Sequence, residues 1–201
     1  SPARAAYEFY HFESNISSGD LVINEIMSNN ISTAADPSDK FEDWIELYNT
    51  TEFPISTYNL YLSDDISNVL KWNLPNHVIS PNGYYVIWAD EDGHQGNNHA
   101  NFKLSNLGEQ LIISNHDSSI IDAEYIYTQQ DDISYGRSPN GVGSFTMLTP
   151  TFNQNNTPSN TNNTFFEDDL VVFPNPFNNY FQIIGKSDFK VYNMLGEIIY
   201  Y

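Results

Sequence analysis

The sequence predicts an all-β fold of sandwich or barrel type, and three observations predict it. Short apolar stretches with period-two alternation recur about every ten residues, the spacing of packed antiparallel sheets. No stretch holds the i, i+3, i+4, i+7 pattern of an amphipathic helix over about eleven residues. Aromatic residues make up 15% of the chain, with 14 tyrosines and 13 phenylalanines, a composition that suits a pleated, half-buried surface.

The elements follow in order. Residues 1–19 carry Tyr7, Phe9, Tyr10 and Phe12 and then a polar run to Gly19, and are expected to be the tail of a preceding domain with its linker. Leu21 to Ser28 is the first strand; strict alternation places Leu21, Ile23, Glu25 and Met27 on one face and Val22 and Ile26 on the other. Asn29 to Glu42 is a polar connection. Asp43 to Asn49 (DWIELYN) then alternates Ile45 and Leu47 against Trp44, Glu46 and Tyr48, so one face enters a core and the other is mixed. Tyr58 to Ser63 alternates again, and Leu70 to Pro75 is short and stopped by proline. Pro81-Asn82-Gly83 marks a turn. Tyr84 to Asp90 (YYVIWAD), the most hydrophobic run, predicts a central strand buried on both faces. Ala100 to Leu104, Glu109 to Asn115, Ile120 to Tyr127, Ser134 to Arg137 and Ser144 to Leu148 complete the set. Asn153 to Thr164 is polar with nothing to bury, so it is expected to be an extended linker. Asp169 to Asn179, Tyr180 to Ile184, Phe189 to Tyr192 and Glu197 to Tyr201 predict a second, small β unit. The expected division is 1–19, 20–155, 156–169 and 170–201.

Composition narrows the function. The 201 residues suffice for one ordinary domain plus an appendage. With 26 acidic against 7 basic residues the formal charge is −19, which disfavours binding to nucleic acid or to anionic lipid. There are no cysteines, so disulfides, thiolate metal sites and thiol nucleophiles are excluded. No apolar run approaches the length that spans a bilayer as a helix. The start at Ser1-Pro2-Ala3 predicts a piece cut from a longer precursor.

Few residues point to chemistry. Glu25 and Glu46 each interrupt an apolar strand; the expected role is structural, with Glu46 paired to Arg137, and no catalytic residues are assigned. The loop from Asp90 to Asn98 offers Asp90 and Asp92 as candidate calcium ligands, although its spacing does not fit an EF-hand. A zinc site on His94 and His99 would need a third ligand. No cofactor is otherwise expected. Trp44, Tyr48, Trp72 and Trp88 are candidates for a carbohydrate-stacking platform, with core packing the commoner role for tryptophan in a sandwich.

Taken in order, Leu21 to Ile26, DWIELYN, Tyr61 to Asp65, Lys71-Trp72 with Pro75, Tyr84 to Asp90, Asn101 to Leu104, Gly108-Glu109 and Ser134 to Arg137 with Pro139-Asn140-Gly141 resemble the lamin-tail domain of bacterial secreted proteins. The resemblance implies an immunoglobulin-like β-sandwich of about nine strands with no shared catalytic residue. Val172-Phe173-Pro174-Asn175-Pro176 and Val191-Tyr192-Asn193-Met194-Leu195-Gly196-Glu197 resemble the first part of the type A C-terminal sorting domain of the Bacteroidetes type IX secretion system, with Pro174, Asn175, Pro176, Asn193, Leu195 and Gly196 as the motif residues. The domain's final hairpin and basic end are missing. Together these imply a non-catalytic interaction or spacer module, secreted or at the cell surface of a Bacteroidetes bacterium. Its expected partners are the type IX machinery and a cell-surface protein or polysaccharide. The alternatives are the accessory tail of an enzyme, kinase-like or nuclease, lying upstream of Ser1, or a polysaccharide-binding module.

Overall fold

The structure, a computed structural model, describes residues 16–156 and, for the backbone, four short strands between 171 and 200. Two compact units divide the chain, Ser1–Asn160 and Thr161–Tyr201.

In the first unit the alternating stretches form the expected strands, joined by two short ones that were not expected: β1 (Leu21–Met27), β2 (Trp44–Asn49), β3 (Ile55–Ser56), β4 (Leu60–Ser63), β5 (Trp72–Asn73), β6 (Val78–Ile79), β7 (Tyr84–Trp88), β8 (Glu109–Asn115), β9 (Ile120–Ile126), β10 (Ser134–Ser138) and β11 (Ser144–Leu148), the unexpected two being β3 and β6. They make a five-stranded sheet in the order β11-β10-β1-β2-β7 and a four-stranded sheet in the order β5-β4-β8-β9, with β3 and β6 paired separately. The neighbours with residue registers are antiparallel throughout. The fold class is therefore the all-β, immunoglobulin-like sandwich expected from the sequence. Between the sheets lies one aliphatic core, in which Ile23, Ile26, Ile45 and Leu47 of the first sheet and Leu62, Leu111 and Ile113 of the second are fully buried. Burying such side chains contributes roughly 1.5–3 kcal/mol each before conformational entropy is charged against it.

Three expectations are corrected. Strict alternation fails in β1: the register steps from Ile23 opposite Leu47 to Glu25 opposite Glu46, leaving Asn24 as a bulge. The extra residue inverts the parity beyond it, so Leu21, Ile23 and Ile26 share the core. Met27 packs instead with Trp44 and Trp88 in a second cluster. The hydrophobic run expected to be a central strand is β7, at an edge of its sheet. Its apolar character on both sides is explained by the core, which takes Tyr85 and Ile87, and by the cluster of Trp44 and Phe152, which takes Val86 and Trp88, while a returning chain segment bridges its edge from Trp88 to His99 and from Asp90 to Lys103. That same segment, Ala100 to Leu104, contributes isolated bridges and no strand of its own.

In the second unit, β12 (Val171–Phe173) pairs with β13 (Gln182–Ile184) and β14 (Val191–Tyr192) with β15 (Ile198–Tyr200), each pair antiparallel. Pro174, Asn175, Pro176, Asn193, Leu195 and Gly196 lie outside the described residues.

Candidate functional site

The outer face of the five-stranded sheet holds an unusual row. The registers align Gly136, Glu25, Glu46 and Val86 across four strands. Glu25 and Glu46 are both fully buried. What covers them is residues 151–156, which return as a strap after β11. Thr151 donates its backbone N–H to Glu25 Oε1 at 3.0 Å and approaches Oε2 with its hydroxyl, and the Ser134 hydroxyl also meets Oε1. Glu46 accepts from Asn24 Nδ2 at 2.9 Å and from the Asn153 N–H at 2.6 Å. Asn156 donates Nδ2 to the carbonyls of Asn24 and Arg137 at 3.0 and 2.8 Å. Phe152 roofs the tryptophans, edge-on to Trp44 at 5.2 Å and tilted to Trp88 at 5.6 Å. Gly136 permits this close approach, since a Cβ there would lie 2.6 Å from the Asn24 carbonyl oxygen and 3.0 Å from Asn156 Nδ2.

The tract read as linker from Asn153 onward thus begins as part of the sandwich, and Asn156 is only 3% exposed. Asparagine amides can be buried here because the sheet face beneath them is itself polar. Burial pushes Glu25 above the ordinary carboxylate value and Glu46 up to about 8, the Glu25 charge adding to the effect on Glu46. The row therefore carries less than its two formal charges at neutral pH. The Thr151 hydroxyl has one proton and faces two acceptors, Glu25 Oε2 and Asn156 Oδ1.

Glu46 and Arg137 do not pair. Gly136 shares the outer face with Glu46, so the next residue, Arg137, points to the inner face of the sheet. There its guanidinium contacts Asp122 at 3.2 Å and also Glu124, both on β9, the edge strand of the opposite sheet. Its Nε donates to the Ile23 carbonyl at 3.0 Å, while the Ile23 N–H donates to Asp122 Oδ2 at 2.8 Å. The group lies 5.0 Å over the Phe145 ring. This clamp ties the two sheets together beside the bulge. Burial holds Asp122 above its ordinary value and Glu124 at about 7, with Arg137 opposing both shifts.

Asp90 and Asp92 serve different partners. Asp92 contacts the exposed His94 at 2.6 Å and also Gln95. Asp90 accepts the Asp92 N–H on Oδ1 at 3.0 Å, and its Oδ2 lies 2.6 Å from Nδ1 of the buried His99. The residue that joins this second pair is Asp36, from the connection between β1 and β2. One potential ligand atom from each of Asp36, Asp90 and His99 lies within 4.8 Å of the other two, and all three residues are buried. Asp36 carried no sequence signal beyond its place in a polar loop.

Of the four aromatics considered for a carbohydrate platform, Trp44 and Trp88 are buried at 0% and 3% exposure, Tyr48 lies tilted against Tyr84 with ring centres 5.0 Å apart, and Trp72 packs against the core.

Two antiparallel sheets over one aliphatic core, sealed by a polar strap and an inter-sheet arginine, define an immunoglobulin-like module. The chain belongs to the lamin tail domain family: the family's model, Lamin Tail Domain, matches residues 14–129. Lamin tail domains are a non-enzymatic, immunoglobulin-like fold family. A search of curated proteins finds no match for the chain.

Proposed function

We propose that this chain is a non-catalytic interaction and spacer module of a secreted or surface-anchored bacterial protein, exported by the type IX secretion system of a Bacteroidetes bacterium. Membership of the lamin tail family carries the reading, because that fold class works by binding and presenting rather than by catalysis. The buried carboxylates agree with it. Glu25, Glu46, Asp122 and Glu124 have the chain's own donors as partners, which is the arrangement of structural rather than reacting acids. Export rests on the motif residues Pro174, Asn175, Pro176, Asn193, Leu195 and Gly196, by their resemblance in sequence to the sorting-domain motif. The partner is a cell-surface protein or polysaccharide.

The test is to express the whole natural protein, with and without residues 170–201, in a Bacteroidetes host that has an intact type IX system. Loss of surface exposure with accumulation in the periplasm is expected when the segment is removed. Equal surface display of both forms would overturn the export assignment.

A further inference from the structure

We propose that Asp36, His99 and Asp90 form a binding site for a divalent first-row transition-metal ion. The sandwich brings together residues from two separate loops, and the chemistry left over at their meeting point is that of a metal site.

The connection between β1 and β2 is held in place by its own side chains. Asn30 donates to the carbonyls of Ala34 and Glu42 at 2.6 and 2.8 Å, and its Oδ1 accepts the Thr33 N–H at 3.1 Å. Asp36 then takes two backbone N–H groups on one oxygen, Oδ1, from Ser38 at 2.8 Å and Lys40 at 2.7 Å. Its other oxygen, Oδ2, is buried with no hydrogen-bond partner. The residue as a whole is 4% exposed. On the other side, the segment returning along β7 fixes His99: Trp88 accepts from Ala100 N–H at 2.7 Å and donates to the Asn98 carbonyl at 2.9 Å. His99 is 2% exposed, its Nδ1 is held by Asp90, and its Nε2 is buried with no partner. Two buried polar atoms are thus left unsatisfied on residues whose ligand atoms cluster within 4.8 Å of one another, in a structure that satisfies its other buried carboxylates with care.

The pattern matches a carboxylate–histidine–metal arrangement. An Nδ1–H donated to Asp90 fixes the neutral tautomer and leaves the Nε2 lone pair as the ligand. Asp36 Oδ2 is the second ligand, and Asp90 orients the ring and supplies the second negative charge. Neither Asp36 nor Asp90 forms an ion pair with a lysine or arginine among the described residues, so a dication would balance the two carboxylates. Gly96 packs against the ring, where a Cβ would crowd Cδ2 at 3.2 Å and lie 3.6 Å from Nε2. Its neighbour Gln95 has a buried Oε1 that also lacks a partner, a further oxygen in the same loop. Imidazole as a ligand selects zinc and its first-row neighbours over calcium and magnesium, which take oxygen ligands.

The experiment uses the full chain after chelator treatment, titrated with zinc by calorimetry and with cobalt by visible absorption, alongside histidine ring nitrogen NMR. One equivalent is expected to bind. Zinc at about a hundredfold excess over Kd should raise Tm by about 5–10 °C, and the His99 Nε2 resonance should shift while His94 does not. Asp36→Asn should weaken binding by about tenfold or more, and His94→Ala should leave it unchanged. If Asp36→Asn does not fold, the His99 resonance in the unaltered chain decides the question alone. No saturable zinc or cobalt binding, binding of calcium alone, or a zinc-induced shift confined to His94 would each overturn the proposal.

Discussion

At the scale of single residues, the outer sheet face shows how a carboxylate can sit in a core-like position without being a reactive acid. Glu25 and Glu46 are buried side by side on adjacent strands, and each is met by donors from the strap rather than by a cation. The contact most open to testing is the Thr151 hydroxyl, which faces both Glu25 and Asn156. Thr151→Val keeps the shape and removes the hydroxyl. It is expected to destabilise the fold by about 1–3 kcal/mol, seen as a lower Tm in thermal melts. An unchanged Tm would mean that the hydroxyl contributes nothing net to docking the strap. Glu46 was legible in the sequence as a carboxylate needing a partner. The partner was not, because which side of a sheet a residue faces depends on a bulge at Asn24 that no composition or alternation count reveals.

At the scale of elements, the strap is the part that departs most from its sequence. The asparagine-rich tract from Asn153 reads as linker, yet Asn156 bonds two strand carbonyls, and Phe152 just before it covers two tryptophans. Phe152→Ala should therefore release the strap locally while the sandwich stays folded. The expected cost is toward the low end of the about 3–5 kcal/mol typical of large aromatic truncations, since Phe152 is half-buried. The measurement is tryptophan fluorescence, in which Trp44 and Trp88 should shift to the red as water reaches them. An unshifted spectrum would show that the roof is dispensable. The strands themselves were easier to read. β2, β4, β8 and β9 follow from alternation bounded by turn residues, because each has one face on the core. The two-residue pair β3 and β6 was not legible, since so short a bridge is set by the strands around it. The meeting of Asp36 with Asp90 and His99 was hidden for a similar reason: it is a tertiary contact between loops far apart in sequence.

At the scale of the whole molecule, the carboxylates set how stability responds to pH. Asp43 is raised from 3.8 to about 7, Glu46 from 4.5 to about 8 and Glu124 from 4.5 to about 7, in each case chiefly by burial. A raised folded-state value means that the folded protein holds protons more tightly than the unfolded chain. The contribution of these groups is complete below about pH 4 and is lost as pH rises through 7 to 8. The formal charge of −19 acts in the same direction through self-repulsion. Asp65, Asp117 and Asp132 are lowered by hydrogen bonds to nearby serines and backbone, so their contribution is lost only in acid, below the ordinary aspartate value of 3.8. Tm is accordingly expected to fall by about 5 °C or more between pH 5 and pH 8.5, with added salt recovering part of the loss. A Tm that is flat or rises over that range would contradict the assignment. The fold class was legible because it depends on repeated local pattern. The match to the lamin tail family ends at residue 129, whereas the sheet continues through β10 and β11, which supply Ser134 to Glu25 and Arg137 to the inter-sheet clamp. The stretch that the family's model matches is thus shorter than the sheet it folds into. A fragment cut at residue 129 would expose the seven buried residues of β1 as a bare edge, a surface that recruits any passing strand.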